Sequence, residues 1–324
     1  MNKKKCPLCQ STRTKRNGTR KGVQLYKCQA CGRQFRAGEK LSSEQLWNQY
    51  QDHKQTVAEI AKTNGVSAST IKRQMALISI DWVQPDLRGK SGYVHIDATY
   101  WGRGKGIIVA IDDATGFPLY MEYIASETTS DYLLAVESIS SRGYQIKGII
   151  LDGKISVFKA LSQYPVQMCQ FHMKQIIIRK LTRNPRIKAS VALLILIDRL
   201  RTLTHAEMEK EYANWQAEHA LVIKKRSTTK DGTTHYTHRK LRGAMKSVET
   251  FLPYLFTYQR VDCSGMPRTN NKIEGVFTDL KKNLNNHSGL SADGRKRFIN
   301  GFFLALEGNL HINTNGSEPE PTAT

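Results

Sequence analysis

The stretch Val94-His95-Ile96-Asp97-Ala98-Thr99-Tyr100-Trp101-Gly102 decides how the chain is read. Val94, Ile96 and Ala98 fall on one face and His95 and Asp97 on the other, which is the period of a β-strand. Aspartate is depleted in strands because an unpaired charge is costly to bury. Two readings of Asp97 compete at this point. It is either an acid near a strand end, solvated or paired with a basic side chain, or a ligand for a cation.

Towards the C-terminus, strands and helices follow one another. Gly102-Arg103-Gly104-Lys105-Gly106 reads as a hairpin connection. It does not sit between a strand and a helix, as a nucleotide-binding glycine motif does, although Arg103 and Lys105 leave phosphate contact open. A second strand, 107–111, ends in Asp112-Asp113, two acids that turn hydrogen bonding or solvent accounts for. A third strand (118–125), a helix (129–141) and a fourth strand (147–151) ending at Asp152-Gly153 come next. A helix (156–163), a fifth strand (166–168) and a helix (170–181) complete the run. This order predicts an α/β fold with a ribonuclease H-like core, an antiparallel meander extended by parallel crossovers. The first and fourth strands then lie side by side at the sheet centre, so Asp97 and Asp152 can meet at one edge.

Helical periodicity dominates from Asn184, with helices at 187–203, 205–219 and 241–251 around a basic, turn-containing loop, Lys224–Gly232. Residues 184–262 read as an all-helical insertion that divides the core into 92–183 and 263–312. Trp215 within it serves packing or stacks on a base. Beyond the insertion, Ile273, Val276, Phe277, Leu280 and Leu284 repeat at helical spacing. Glu274 opens that helix. It is either the partner of an Asn271 N-cap in a capping box or a third acid for the Asp97/Asp152 edge. Three clustered carboxylates repel one another, which implies a cation or shifted pKa values. Oxygen ligands favour magnesium or manganese, and two such ions suit phosphodiester chemistry. The tail, 313–324, is rich in Pro, Thr, Ser and Glu and reads as disordered.

Towards the N-terminus, a Pro- and Gly-containing linker (82–92) precedes the core. Residues 41–81 pattern as a helix-turn-helix. A helix begins near Ser42-Ser43-Glu44, Val57, Ile60 and Ala61 form an apolar face, Gly65 permits the turn and Ser67 caps the second helix. Ser69, Lys72 and Arg73 would then face a DNA major groove; an ordinary helical hairpin is the alternative. Residues 1–40 carry Cys6-Pro-Leu-Cys9, eighteen residues, then Cys28-Gln-Ala-Cys31-Gly32. Paired Cys-x-x-Cys knuckles at this spacing match a four-thiolate zinc ribbon, and zinc would supply folding free energy that so small a core lacks. Its dense Lys and Arg content suits phosphate contact, with protein contact as the alternative.

The whole chain has 324 residues, 40% of them hydrophobic, and a formal net charge of +21. Such a charge calls for a polyanionic partner, nucleic acid first and an anionic membrane surface second. No apolar run approaches the roughly 18–20 residues needed to span a bilayer. The N-terminus, Met-Asn-Lys-Lys-Lys, lacks an apolar leader. An intracellular setting follows, in which the six cysteines are metal ligands or free thiols rather than disulfides.

Four stretches together resemble the DDE-type transposases of bacterial insertion sequences, in the Mutator-like group and in a variant with an N-terminal zinc ribbon. They are His95-Ile96-Asp97-Ala98-Thr99, Asp152-Gly153, Cys169-Gln170-Phe171-His172 and Thr269-Asn270-Asn271-Lys272-Ile273-Glu274. The resemblance spans residues 90–310. It implies that Asp97, Asp152 and Glu274 are catalytic ligands of Mg2+ or Mn2+. It implies hydrolysis at transposon ends, followed by attack of the freed 3′-hydroxyl on target DNA. The ribbon and the helix-turn-helix would bind terminal inverted repeats in double-stranded DNA. A homodimer or larger synaptic oligomer would pair two ends, in the cytoplasm on the nucleoid and with no membrane. Cys169 and His172 form a signature pair of the group, serving either packing after the fifth strand or contact near the scissile strand. Two other classes compete: a zinc-containing helix-turn-helix regulator with an inert core, and a ribonuclease H-like nuclease without strand transfer.

Overall fold

The computed structural model describes residues 4–6, 8–20, 22–36, 43–51, 55–287, 289–308 and 313–314. It divides into two compact units, Met1–Ile78 with Thr314–Thr324, and Ser79–Asn313. The helix start expected at Ser42 and the tail beyond Thr314 lie outside the described residues. Asn313–Thr314, expected within a disordered tail, form a two-residue strand.

In the first unit, strands β1 (Thr14–Arg20), β2 (Val23–Cys28) and β3 (Gln34–Arg36) make a three-stranded antiparallel sheet. Tyr26 stacks on Phe35 across the β2–β3 pair. Three helices follow: α1 (Ser43–Gln51), α2 (Val57–Thr63) and α3 (Ala68–Ala76). Thr56 and Glu59 form a capping box on α2, and Ser67 caps α3 by accepting the Thr70 N–H at 3.2 Å. Between them Gly65 takes φ +63°, a conformation that costs glycine nothing. Leu46, Trp47, Ile60, Ile71 and Met75 are the buried residues that hold the helices together.

The second unit is built on a five-stranded mixed sheet. Its strands are β4 (Ser91–Gly102), β5 (Lys105–Asp112), β6 (Pro118–Ile124), β7 (Gln145–Leu151) and β8 (Val166–Met168). The spatial order is β6-β5-β4-β7-β8, antiparallel on the β4–β6 side and parallel on the β7–β8 side. Helices α4 (Thr129–Ser141) and α5 (Ile155–Ala160) make the crossovers that parallel pairing requires. The β4–β5 connection is a hairpin that pairs Gly102 with Lys105 and has Gly104 at φ +66°.

The two faces of β4 meet different surroundings. Val94 and Ile96 join the main core with Ala135, Val136 and Ile139 of α4 and with Ile149 and Leu151 of β7. Tyr93 lies on the opposite face with Ile150, Cys263 and Met266. His95 and Asp97 share that second face, by strand alternation. At the β4 start, a Cβ on Gly92 would lie 2.7 Å from both Asp112 Oδ1 and Tyr144 Oη, so only glycine fits there.

After β8 come α6 (Gln170–Leu181), α7 (Lys188–Asp198), α8 (His205–Glu218), α9 (Ala220–Lys224) and α10 (Arg239–Phe251). The expectation of an all-helical insertion is corrected here. Arg226–Thr228 (β9) and Thr234–Tyr236 (β10) pair as an antiparallel hairpin. The β-branched and hydroxylated residues on both arms favour strand, and Gly232 turns at φ +83°. Trp215 is a packing residue: it is buried, stacks on Tyr212 and donates its indole N–H to the Ala189 carbonyl at 2.9 Å. Helices α11 (Asn271–Asn286) and α12 (Ala292–Leu306) close the unit.

Candidate functional site

Sheet register sets the first two acids. His95 of β4 pairs in parallel with Ile150 of β7, so Asp97 and Asp152, each two residues on, come opposite one another. Both are half-buried. Burial pushes the Asp97 carboxyl well above the usual range, and the nearby Asp152 carboxylate adds to the rise, which the Ala98 N–H opposes. Glu274 arrives from the first turn of α11. Burial also raises its carboxyl, the His172 ring lowers it and Asp152 raises it.

His172, on the first turn of α6, sits between two of these acids. Its Nδ1 lies 2.9 Å from Asp152 Oδ1 and its Nε2 lies 3.5 Å from Glu274 Oε1. Neither contact has the alignment of a hydrogen bond, and both His172 Nδ1 and Glu274 Oε1 are buried without a hydrogen-bond partner. Burial disfavours the charged ring, but Asp152 and Cys169 outweigh it and push His172 up to about 10. In the absence of metal this shift favours the charged ring beside the carboxylates. Cys169, fully buried, accepts the Asn270 N–H at 3.2 Å. Donor atoms of Cys169, His172 and Glu274 all lie within 4.8 Å of one another. The Cys169/His172 pair thus belongs to the acid cluster, and packing alone does not describe it.

The α11 start is tied to the sheet by Asn270, His95 and Lys272. Asn270, buried, is the N-cap position, but its side chain makes no cap. Its Oδ1 lies 2.7 Å from His95 Nδ1, and its Nδ2 reaches Asp152 Oδ1 at 3.5 Å. On the other side, His95 Nε2 meets Asp113 Oδ1 at 2.8 Å. The Lys272 ammonium donates to the Asp113 and Ala114 carbonyls. A continuous run, Asp113–His95–Asn270–Asp152, therefore lies behind the acids. The capping-box reading of Glu274 is overturned: the helix begins one residue earlier than Asn271 as N-cap requires, and the Glu274 carboxylate faces His172. Asn270, the neighbour of Asn271, is the residue that anchors the helix start. Asp112 and Asp113 divide. Asp112 keeps the expected turn role, accepting from Thr115, and also from Tyr144, while Asp113 serves His95. Glu127, a fourth acid felt by Asp97, has no sequence signature; Tyr132 and Lys154 hold it in place.

In the first unit, Cys6, Cys9, Cys28 and Cys31 converge. The Cys6–Cys31 and Cys9–Cys28 sulfur pairs are each 3.6 Å apart, and all four sulfurs lie within 4.8 Å of one another. Tetrahedral zinc with Zn–S bonds of about 2.3 Å separates its sulfurs by about 3.8 Å, so this set fits one structural zinc. Backbone N–H groups of Cys31 and Ala30 hold the Cys28 thiol down to about 6, against its desolvation, which favours the thiolate a metal needs. Ser69, Lys72 and Arg73 are exposed on α3, and Arg103 and Lys105 are exposed on the β4–β5 hairpin. Among the described residues no helix is long and apolar enough to cross a membrane.

No family model matches the chain, and no curated protein matches it. Among solved structures it is similar to a chain in the cryo-EM structure of the simian T-cell lymphotropic virus intasome in complex with PP2A regulatory subunit B56 gamma. The identity is 11% and the TM-score 0.21, over 64% of this chain and 66% of that one, just under two thirds of its length.

Proposed function

We propose that the chain is a metal-dependent DNA transposase of the DDE type, with a ribonuclease H-like core. The observation that carries this reading is that Asp152, at the end of β7, lies near both Asp97 of β4 and Glu274 of α11, across a long insertion. Asp97, Asp152 and Glu274 would hold divalent magnesium or manganese. They fit it, because the Glu274 Oε1 atom is buried without a hydrogen-bond donor and the Asp97 and Asp152 charges stand close together. When bound, such ions activate the attacking oxygen of water or a 3′-hydroxyl and stabilise the leaving oxygen. Asn270 and His95 orient Asp152, while His172 offsets the acid charge from the α6 side. The four thiolates of the ribbon would hold zinc, and the basic ribbon with α3 would bind terminal inverted repeats, in a dimer or larger assembly that pairs two ends.

The test is incubation of full-length protein with labelled insertion-sequence ends and Mg2+. Wild type cuts the ends and joins them to target DNA, whereas Asp97→Asn binds the ends without cutting. Normal cutting by Asp97→Asn would sink the assignment, and cutting without joining would favour a nuclease. One observation favours a second reading of the metal. Cys169, His172 and Glu274 form a mixed sulfur, nitrogen and oxygen set of the kind zinc accepts. Metal analysis separates the two: a second zinc lost on Cys169→Ser selects the mixed site.

A further inference from the structure

Between the end of α6, the start of α7, the β9–β10 hairpin and the start of α10 lies an open cleft of about 770 Å³. Lys180, Arg186, Arg239 and Lys240 line it, together with His235. A second cavity of about 330 Å³ shares His235 and Arg239 and adds Arg226 and Arg242. Among the described residues no Asp or Glu lines either cavity. Cations elsewhere in this region are paired: Lys174 with Asp198 at 2.8 Å, and Arg199 with Glu211. Lys180, Arg186, Arg239 and Lys240 form no ion pair among the described residues. Gathering like charges around a cavity costs free energy unless a partner supplies the countercharge.

Part of the remaining lining can donate hydrogen bonds, among apolar residues such as Leu181, Pro185 and Leu241. Thr182 and Ser190 contribute hydroxyls. The first turns of α7 and α10 open here, with N-cap residues Ile187 and His238 that supply no side-chain cap. His235 Nδ1 is buried without a hydrogen-bond partner. Arginines, lysines, hydroxyls and main-chain N–H groups are the set that positions a nucleic-acid backbone. Two linked cavities also reach beyond a single phosphate.

We infer that this cleft grips the phosphodiester backbone of duplex DNA, through residues other than those of the acid cluster. The choice of DNA rests on the transposase reading above; the anion-binding character of the cleft does not.

The test compares full-length wild type with the triple variant Arg186→Gln/Arg239→Gln/Lys240→Gln, each titrated with a fluorescent duplex of arbitrary sequence over a salt series. The slope of log K against log salt is expected to be shallower in the variant by about 2.7, about 0.9 for each of three lost phosphate contacts. In wild type, added duplex is expected to slow amide exchange at 182–190 and 234–241. Equal slopes with unchanged exchange overturn the inference. So does displacement of the duplex by polyglutamate as readily as by unlabelled DNA, which would make the cleft a surface for acidic polypeptide. Should the variant melt early, the wild-type exchange result decides alone. A chain that binds duplex here but cuts no ends refutes the transposase reading and keeps the cleft. A chain that cuts ends with equal slopes refutes the cleft only.

Discussion

Asp97 places its carboxyl group opposite Asp152, on a strand whose other face is core. Its folded pKa is raised, so the ionised form is disfavoured in the fold, and the contribution to stability is lost as pH rises through that value. Asp97→Asn removes the penalty. At neutral pH without divalent metal this variant is expected to melt higher than wild type, by about 2–4 °C for each kcal/mol relieved in a unit of this size. A lower melting temperature would mean that the charge is compensated and the acid merely structural. Asp112 behaves oppositely. Burial raises its carboxyl, but bonds from Thr115 and Tyr144 outweigh that and hold it below the usual range. Its contribution is complete above the unfolded value of about 3.9 and disappears as pH falls through the folded one. Tyr144→Phe therefore lowers stability by about 1.5–3 kcal/mol near neutrality, and by less in acid below the folded value. Urea unfolding at both extremes checks this; a cost independent of pH would remove the charged hydrogen bond from the account.

At the scale of elements, the ribbon's three short strands bury few apolar side chains and depend on their cysteine cluster. Cys28→Ser, or a chelator, is expected to remove about one zinc per chain and to abolish exchange protection in β1–β3, leaving the melting of the second unit unchanged. Protection that survives zinc loss would show that the strands fold by packing alone. The start of α11 is the other element whose placement matters. Lys272 and Asn270 moor it to the β5–β6 turn and to His95, which aims Glu274 at His172. This anchoring was partly legible. The spacing Asn270-Asn271-Lys272-Ile273-Glu274 marks a helix start, but which asparagine occupies the N-cap depends on a His on a distant strand.

At the scale of the second unit, the insertion is not an appended module. Leu193, Trp215, Leu241, Val248 and Phe251 belong to the same buried cluster as Val94, Ile96 and Ile149 of the sheet. Phe251 packs edge-on to Phe158 of α5 at 5.5 Å. Phe251→Ala is expected to cost about 3–5 kcal/mol and to lower the unfolding of sheet and insertion together, seen by amide exchange in both. Independent unfolding of the two would contradict a shared core. This continuity gives α6 a firm seat against α10, and α6 carries His172, with Cys169 at its N-cap.

Local chemistry determined much of this by itself. Strand alternation, capping residues, glycine turns and paired cysteines act over a few residues, so the α/β order, the helices on either side of Gly65 and the four-thiol cluster could be read directly. The candidate acids Asp97, Asp152 and Glu274 were legible as candidates only through the resemblance of their surrounding stretches, since strand position and helix start alone leave solvated and capping roles open. Their mutual geometry was not, nor was the lodging of His172 between Asp152 and Glu274, the recruitment of Asp113 and Asn270, or the unpaired cations around the α6–α10 cleft. Those depend on pairing between residues separated by long stretches of chain. Only burial and charge, acting after the sheet and insertion pack on one another, select them.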